Sequence, residues 1–215
     1  MYIDSKCKVC RRQGTKLFLK GERCFSQKCA MVKRPTPPGK VGKRRRGTPS
    51  EYAKELKEKQ KLKFLYGLRE RQFKRYVMEI LSASRKEKSE KADDPPTLLT
   101  KRLESRLDNT IFRLGITGSR ALARQMVSHG YFKVNGRNVN IPSYRVEKGD
   151  KIKVKPEKQK KKIFQSLAQS LKKQNTSVWL KFDPKTFEAE VVAEPSVELA
   201  ELPVEISTIF EFYSR

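Results

Sequence analysis

The sequence predicts an α+β protein in which a cysteine knuckle and a mostly helical lobe precede a small helix–helix–sheet module, itself inserted before a short β-containing C-terminal segment. Three observations predict this order. All four cysteines lie in the first 29 residues, apolar side chains recur with a helical period of about 3.6 residues between 69 and 114, and an Asn135-Gly136 turn pair separates two short β-prone runs. We therefore expect four regions: a knuckle with an extended basic segment (1–47), the helical lobe (48–96), the module (97–160), and a C-terminal helix with strands that packs back on the helical lobe (161–215).

The cysteines follow the spacing Cys-x2-Cys-x13-Cys-x4-Cys, at positions Cys7, Cys10, Cys24 and Cys29. Two close pairs joined by a short loop bring four thiolates to one point, as in structural zinc sites. The polar loop is too short to bury a core, so its folding needs such a stabiliser, and we expect one structural zinc ion. An iron–sulfur cluster, two disulfides and a redox pair are the alternatives. We expect neither of the last two, because Met1 opens almost directly onto the knuckle without a secretory signal and nothing resembles a thioredoxin chain.

Positive charge is concentrated in the first part of the chain. The sequence has 50 Lys and Arg against 24 Asp and Glu, a formal net charge of +26, whereas residues 176–215 hold eight acidic and three basic residues. A one-sided excess of this size favours a polyanionic partner. An anionic membrane is the alternative, but no apolar run approaches the roughly 18 residues of a membrane span, and no amphipathic helix dominates. We therefore expect a cytoplasmic nucleic-acid-binding protein with no membrane and no small-molecule substrate, whose acidic tail faces a basic neighbouring protein.

The segment 33–49 contains prolines, glycines and basic side chains but almost nothing to bury. A flexible linker is one interpretation. Because a linker has no need of the consecutive cations Lys43, Arg44, Arg45 and Arg46, we favour a segment that threads along RNA.

Two helices are predicted in the helical lobe. Thr48 is placed to cap the first, with Pro49 in its first turn and Glu51 closing a capping box. The second covers 69–87, where an apolar stripe alternates with a basic face that we interpret as a phosphate-contacting surface. The stripe consists of Phe73, Tyr76, Val77, Ile80 and Leu81, and the basic face of Arg71, Lys74, Arg75 and Arg85.

The module opens with a leucine-rich stripe at 99–114, which predicts one continuous helix that ends at Gly115. Arg102, Arg106 and Arg113 lie close together on its other face. Arginine suits an RNA-binding surface because its planar guanidinium group pairs bidentately with phosphate oxygens.

A second helix is predicted from the N-cap Ser119 to Gly130, presenting Arg120 and Arg124. Short strands are then predicted at 132–134, 137–139, 143–145 and 151–154. Two helices and a small sheet with arginines on one side indicate a compact RNA-binding element, which reads RNA by shape and backbone more than by base edges.

The aromatic segment 179–187 predicts a strand pair that turns at Asp183-Pro184. Aromatic rings stack on bases in some RNA-binding proteins. In this acid-rich tail we instead expect Trp179 and its neighbours to form core.

Four strings of the sequence, in order along the chain, carry a resemblance to a known family. They are the knuckle with KLFLKGERCFSQKCA, the segment PSEYAKELKEKQKLKFLYGLRERQFKRY (49–76), the module RLESRLDNTIFRLGITGSRALARQMVSHGYFKVNGRNVNIPSYRVEKGDKIKV (102–154) and the terminal FEFYSR (210–215). They resemble small-subunit ribosomal protein four in its bacterial zinc-containing form. The resemblance implies a structural constituent of the small ribosomal subunit that binds the 5′ domain of 16S rRNA early in assembly and nucleates its folding. It also implies a place beside ribosomal proteins three and five at the channel through which mRNA enters, with an effect on decoding accuracy.

The resemblance further implies roles for individual residues. The mRNA contact falls on Lys43, Arg44, Arg45 and Arg46. The rRNA contacts fall on Arg11, Arg12, Arg69, Arg71, Arg75, Arg102, Arg106, Arg120 and Arg124. Apart from the resemblance, we also expect rRNA contacts at Arg113, His129 and Arg137.

Two departures from the family pattern stand out. Lys40-Val41-Gly42 replaces the common Gln-His-Gly string, so an imidazole contact with RNA is lost there. The segment 195–207 lacks the usual Arg-Glu and Asn-Glu pairs, and it falls on the expected interface with protein five.

An RNA-modifying enzyme of the pseudouridine synthase type is the alternative function, because such enzymes carry the same module and Arg106-Leu107-Asp108 resembles part of their catalytic string. Only about 60 residues follow the module, however, which is too few for a catalytic domain. We therefore expect no enzyme: Asp108 is a structural acid, and His129 ends a helix or contacts phosphate. A generic zinc-containing DNA-binding protein is a further alternative, but such fingers usually repeat and carry His ligands.

Overall fold

The computed structural model describes residues 5–39, 48–86, 93–161, 164, 177–184, 186–195 and 202–214. The chain divides into two compact units, which we call the first unit (Met1–Leu99 with Leu202–Arg215) and the second unit (Thr100–Glu201). The predicted mRNA contact, Lys43 to Arg46, lies outside the described residues.

Helices and an antiparallel sheet both contribute, in agreement with the predicted α+β class. In the described part of the chain the helices are α1 (Lys6–Gln13), α2 (Glu22–Phe25), α3 (Ala30–Lys33), α4 (Glu51–Leu65), α5 (Glu70–Lys86), α6 (Pro95–Glu104), α7 (Leu107–Arg113), α8 (Arg120–Ser128), α9 (Pro156–Gln159) and α10 (Ser207–Ser214). The strands are β1 (Phe132–Val134), β2 (Arg137–Val139), β3 (Lys151–Val154), β4 (Leu180–Asp183) and β5 (Glu188–Val191). Among these helices, none is long and apolar enough to cross a membrane.

Helix α4 begins two residues later than the predicted cap implies. Its N-cap is Ser50 rather than Thr48, and the Ser50 hydroxyl accepts a hydrogen bond from the Ala53 amide at 3.3 Å. The prediction was wrong because two hydroxyl residues flank Pro49, and the one directly before Glu51 has the extended backbone that a cap requires (φ −62°, ψ 161°).

The core of the first unit lies where α4, α5 and α10 pack together. Leu62, Phe73 and Val77 are fully inaccessible to solvent, and so is Ile209 of α10. Burying such a side chain stabilises a fold by about 1.5–3 kcal/mol. The stripe predicted on α5 is therefore confirmed as core at Phe73 and Val77.

A charged cluster joins α10 to the other two helices of that core. Glu70 accepts hydrogen bonds from Lys59 at 2.6 Å, from Lys63 at 2.8 Å and from the Tyr213 hydroxyl at 3.0 Å. The Lys59 ammonium also lies 4.4 Å from the centroid of the Phe212 ring. We call Glu70, Lys59, Lys63 and Tyr213 the Glu70 cluster. It gives the aromatic C-terminal helix a specific docking position on α4 and α5.

The single long helix predicted at 99–114 is wrong, because the chain breaks it into α6 and α7. Arg106 leaves the helical conformation (φ −72°, ψ 137°) and forms a β-bridge with Arg145. The Val146 amide donates to the Ser105 carbonyl at 2.8 Å, and the Leu107 amide donates to the Tyr144 carbonyl at 2.9 Å. Backbone pairing with a segment about 40 residues away in sequence replaces the helical hydrogen bonds, which no local pattern reveals.

The sheet of the second unit has the order β2-β1-β3-β5-β4, with all neighbours antiparallel. The predicted β1–β2 hairpin is confirmed, with Val134 opposite Arg137. Its two turn residues, Asn135 and Gly136, both have positive φ (48° and 79°). This turn type matches the right-handed twist of the paired strands, and the residue pair Asn-Gly adopts it with little strain.

The C-terminal strands join the sheet of the second unit, whereas the sequence predicts that they pack on the helical lobe. Strands β4 and β5 form the expected pair, but β5 also pairs with β3, so both extend the sheet of the module. The open edge of β3 has backbone groups that need partners, and β5 satisfies them. Only the final segment, with α10, belongs to the first unit. The strand predicted at 143–145 is reduced to the one bridge at Arg145.

The core of the second unit lies between α7, α8 and the sheet. Leu107, Ile111, Val127 and Phe132 are fully buried. Trp179 is 2% exposed and belongs to the same cluster. The prediction that this aromatic residue forms core rather than a base-stacking surface is confirmed.

Candidate nucleic-acid interface and cysteine cluster

The basic residues predicted in the first unit lie mostly at the surface. Arg12 at the end of α1 and Arg69, Arg71 and Arg75 at the start of α5 are exposed. Arg11 is half-buried, and its Nε donates to the Thr36 carbonyl at 2.8 Å. Exposed guanidinium groups on one helix are accessible to a polyanion, whereas Arg11 also braces the chain after the knuckle.

A nearly inaccessible carboxylate organises the arginines of the second unit. The Glu104 side chain is 1% exposed and accepts from Arg113 twice, at 2.7 and 3.0 Å. It also accepts from the Asn109 amide at 2.9 Å. Because a buried charge is costly unless it is paired and hydrogen-bonded, this bidentate contact fixes both partners in one geometry.

Arg120 is attached to the same group of residues. Its Nε donates to the Asn109 carbonyl oxygen at 2.8 Å, and its guanidinium carbon lies 4.4 Å above the Phe112 ring. The guanidinium plane is thereby held between a ring face and an amide. Its side chain remains partly exposed at 16%, and one of its nitrogens is 3.9 Å from Glu104.

Asp108 forms the second buried ion pair of this unit. Arg106 donates to its two oxygens at 3.0 and 2.7 Å, and both side chains are almost inaccessible. Arg124 lies 3.7 Å from the same carboxylate and is 33% exposed. The prediction that Asp108 is a structural acid is confirmed. The placement of Arg106 on an RNA-facing helical surface is wrong, because the break before α7 turns its side chain into the interior.

These contacts define what we call the arginine network. It consists of Arg106, Arg113, Arg120 and Arg124 with Glu104, Asp108 and Asn109. The side chains of Arg113, Arg120 and Arg124 remain partly exposed, at 18%, 16% and 33%. Their guanidinium groups can therefore be reached by an anion such as a phosphate.

The remaining predicted contacts surround this network in the second unit. Arg102 on α6 is half-buried, Arg137 on β2 is exposed, and His129 is exposed at the C-terminal end of α8.

Sequence reasoning missed the residues that orient the arginines. Glu104, Asn109 and Phe112 were not predicted as part of the site, although each contacts one of its arginines. A signal was present, because Glu104 is an acid close in sequence to Lys101, Arg102 and Arg106. The pairing of Glu104 with Arg113 depends on the break after α6, which the periodic leucine pattern does not predict.

The four cysteines come together from three short helices. Cys7 and Cys10 lie on α1, Cys24 on α2, and Cys29 directly before α3. All four line one small cavity and none is in a disulfide. Burial raises the pKa of the Cys10 thiol, and the neighbouring cysteines raise it further.

Within the described residues, no group of three or more Cys, His, Asp or Glu side chains is arranged as a metal site. The donor set fits zinc in its chemistry, since four buried or half-buried sulfurs border one space.

Two family models match the chain. The ribosomal protein S4/S9 N-terminal domain matches residues 1–94, and the S4 domain matches residues 105–152. These matches follow the division between the knuckle with its helical lobe and the module.

Relatives that match over their full length are named small ribosomal subunit protein uS4. The relative from Thermus thermophilus is 43% identical over 214 residues, which is 100% of this chain and 99% of the relative. The relative from Caldicellulosiruptor saccharolyticus is 44% identical over 214 residues, and that from Halothermothrix orenii 45% identical over 218 residues, with the same coverage. These relatives are ribosomal proteins and not enzymes. The alternative function, an RNA-modifying enzyme, is therefore wrong. With both models matched in order and the relatives aligned along the whole chain, this protein belongs to the uS4 family of small ribosomal subunit proteins.

Proposed function

We propose that this protein is a structural constituent of the small ribosomal subunit, in the cytoplasm, and that it binds ribosomal RNA with both of its units. The observation that carries the proposal is the arginine network, in which buried carboxylates hold partly exposed guanidinium groups in fixed geometry. The exposed arginines of α5 supply a second basic surface in the first unit.

Binding is electrostatic in origin. Lys and Arg side chains displace the counterions condensed on RNA, so log K falls by about 0.7 to 0.9 per neutralised phosphate for each tenfold increase in salt concentration. The geometry of the arginine network adds selectivity for shape, because side chains that are already oriented lose less conformational entropy on binding. Single lysines on long flexible stems would lack that advantage.

The finer assignment follows the family resemblance. We propose that the RNA is the 5′ domain of 16S rRNA, bound early in assembly, and that the neighbours are ribosomal proteins three and five. Lys43, Arg44, Arg45 and Arg46 would then line the channel through which mRNA enters, where they contact incoming mRNA and influence decoding accuracy. A run of four cations is suited to tracking a phosphate backbone without regard to sequence.

We also propose that Cys7, Cys10, Cys24 and Cys29 hold one structural zinc ion, with an iron–sulfur cluster as the alternative. What supports this is that all four line one cavity without forming a disulfide. Zinc bound there would tie α1, α2 and α3 together in a lobe whose own apolar core is small. Three of the four sulfur-bearing side chains are already buried, so little solvent would have to be displaced.

The test is binding of the purified full chain, supplied with zinc, to the 5′ domain of 16S rRNA at about 0.3 M salt, a concentration that suppresses most non-specific phosphate contacts. Excess tRNA and duplex DNA serve as competitors. Binding that withstands both competitors supports recognition of a particular rRNA structure. Equal loss to every competitor would mean a general polycation and would contradict the proposal.

A further inference from the structure

Two phenylalanines in the knuckle lobe stack on each other at the surface. The ring centroids of Phe18 and Phe25 are 4.8 Å apart, with an angle of 27° between the ring planes. Phe25 is 77% exposed and Phe18 39% exposed. We call these two residues the aromatic pair. One face of Phe25 is covered by Phe18, and its high exposure means that the other face is open.

The backbone at Phe18 is held in an unfavourable conformation. Its φ of 49° lies in the left-handed region, which bulky side chains rarely adopt. The Phe18 carbonyl accepts a hydrogen bond from the Gly21 amide at 3.4 Å, within the turn that leads into α2. Strained positions of this kind tend to occur at functional sites, because a fold keeps the strain only where the surrounding structure imposes it. Here the strained residue supports the exposed ring.

The chain segment that carries the aromatic pair is strongly basic. Between positions 16 and 28 the exposed charged residues are Lys16, Lys20, Arg23 and Lys28, against the single acid Glu22. A flat apolar face among cations fits a ligand that combines a flat ring with negative charge. An unpaired nucleobase with its flanking phosphates has both features.

We propose that the aromatic pair is a stacking platform for one unpaired base of the bound RNA, which lies on the open face of Phe25. Lys20 and Arg23 then contact phosphates beside that base. This inference rests on the proposed RNA-binding function and adds a contact of a different kind, since stacking neutralises no phosphate. The stacked base would therefore add a contact with one single-stranded nucleotide to the recognition of RNA by its shape.

The first experiment compares Phe25→Leu and Phe25→Tyr in the full chain for binding to the 5′ domain of 16S rRNA across a salt series. Leucine keeps an apolar side chain but removes the ring, so affinity falls about 5- to 150-fold, the range of a lost base–aromatic stack. Tyrosine restores binding to within about twofold, since it keeps the ring face. The dependence on salt stays unchanged in both variants. Val32→Ala, an exposed apolar change in the same lobe, is the matched control and leaves affinity unaltered.

The reciprocal variant is Arg23→Gln, which lowers the salt slope by about 0.7 to 0.9 because one phosphate contact is lost. If Phe25→Leu binds as well as the unmodified protein, the platform is refuted while RNA binding stands. If the unmodified protein itself does not bind this RNA, the proposed RNA-binding function is contradicted, and the platform with it. Amide exchange of α1 to α3 in each variant shows that the lobe remains folded.

A photo-crosslinking residue at position 25 identifies the occupant in assembled small subunits. Crosslinks to one single-stranded rRNA nucleotide support the proposal. Crosslinks to a neighbouring ribosomal protein, to base-paired nucleotides, or to nothing would overturn it.

Discussion

Glu104 shows how a single buried charge can control a positively charged surface. It accepts two hydrogen bonds from Arg113 and one from Asn109, whose own carbonyl oxygen binds Arg120. The carboxylate therefore holds the partly exposed guanidinium group of Arg113 directly and that of Arg120 through Asn109. Glu104 is a positioning residue, and its effect on RNA would act through the arginines rather than by contact.

Replacing this carboxylate tests that role. Glu104→Gln removes the charge that compensates Arg113, and we expect a loss of about 3–5 kcal/mol from the stability of the second unit, as for other buried ion pairs broken on one side. Trp179, the only tryptophan of the chain, reports unfolding of this unit by fluorescence. The control is Glu188→Gln, whose pair with Lys153 is exposed and should cost less than about 1 kcal/mol. Equal effects of the two variants would contradict a structural role for Glu104.

A second residue-scale prediction concerns the Glu70 cluster. Burial raises the pKa of Glu70, but hydrogen bonds from Lys59, Lys63 and Tyr213 outweigh it and lower the pKa from 4.5 to about 2. Because the pKa is lower in the folded state, the cluster stabilises the fold fully above pH 4.5 and loses that effect as the pH falls towards 2.

The measurement is the difference in stability between the unmodified protein and Glu70→Gln, followed by amide exchange in α10. We expect the unmodified protein to hold its advantage at pH 6 and to lose it progressively below pH 4.5, down to about 2. Trp179 fluorescence serves as the internal control, since it follows the other unit. An advantage that did not change over this range would show that the carboxylate does not stabilise the docked helix.

At the scale of elements, the helices α1, α2 and α3 of the knuckle are short. Two of them contain only four residues each, far below the length at which a helix is stable alone. Their apolar core is small, with Leu17 as its fully buried aliphatic residue among the described positions. A bound zinc ion would stabilise the packing of these three helices.

Removal of one cysteine tests this dependence. We expect Cys24→Ser to unfold residues 1–30 while residues 100–155 stay folded, because a hydroxyl replaces a thiolate ligand and the second unit has its own core. Zinc content and amide exchange are measured together, and a chelator added to the unmodified protein should reproduce the pattern. Intact amide protection across 1–30 in the variant would contradict it.

At the scale of the whole molecule, charge is divided by position along the chain. Residues 1–175 carry a net charge of +31, whereas the acidic tail has a net charge of −5 and contributes Glu188 and Glu190 to strand β5. The acidic C-terminal segment is therefore chemically distinct from the basic surfaces, and its negative charge repels RNA.

Alanine substitutions in two groups of basic residues should therefore impair different steps, translation in one case and subunit assembly in the other. Alanine at Lys43 to Arg46 should impair translation through structured mRNA more than subunit assembly, since this run is proposed to contact mRNA. Alanine at Arg120 and Arg124 should weaken rRNA binding and slow assembly first, because the arginine network is the proposed rRNA contact. Assembly and translation rates measured on both variants decide between them. Early failure of assembly in the first variant would refute the assignment of the mRNA channel.

Much of the architecture follows from the sequence alone, because its signals are local. The Asn135-Gly136 hairpin, the Ser119 cap of α8 and the buried stripe of α5 each depend on a few neighbouring residues whose backbone preferences or periodicity are decisive. Net charge and cysteine spacing likewise indicated the chemistry of the partner and of the proposed metal without any coordinates.

Tertiary structure alone decided the features that depend on distant pairing. The bridge from Arg106 to Arg145 ended a helix that the leucine pattern would have continued, and it turned a predicted RNA contact into a buried partner of Asp108. The pairing of β3 with β5 likewise moved the C-terminal strands into the module's sheet. In both cases backbone groups far apart in sequence satisfy each other's hydrogen bonds, and burial then favours whichever side chains face inward. Local propensity contains no information about such partners, so composition and motifs determine what this protein binds, while long-range packing determines which arginines remain available to bind it.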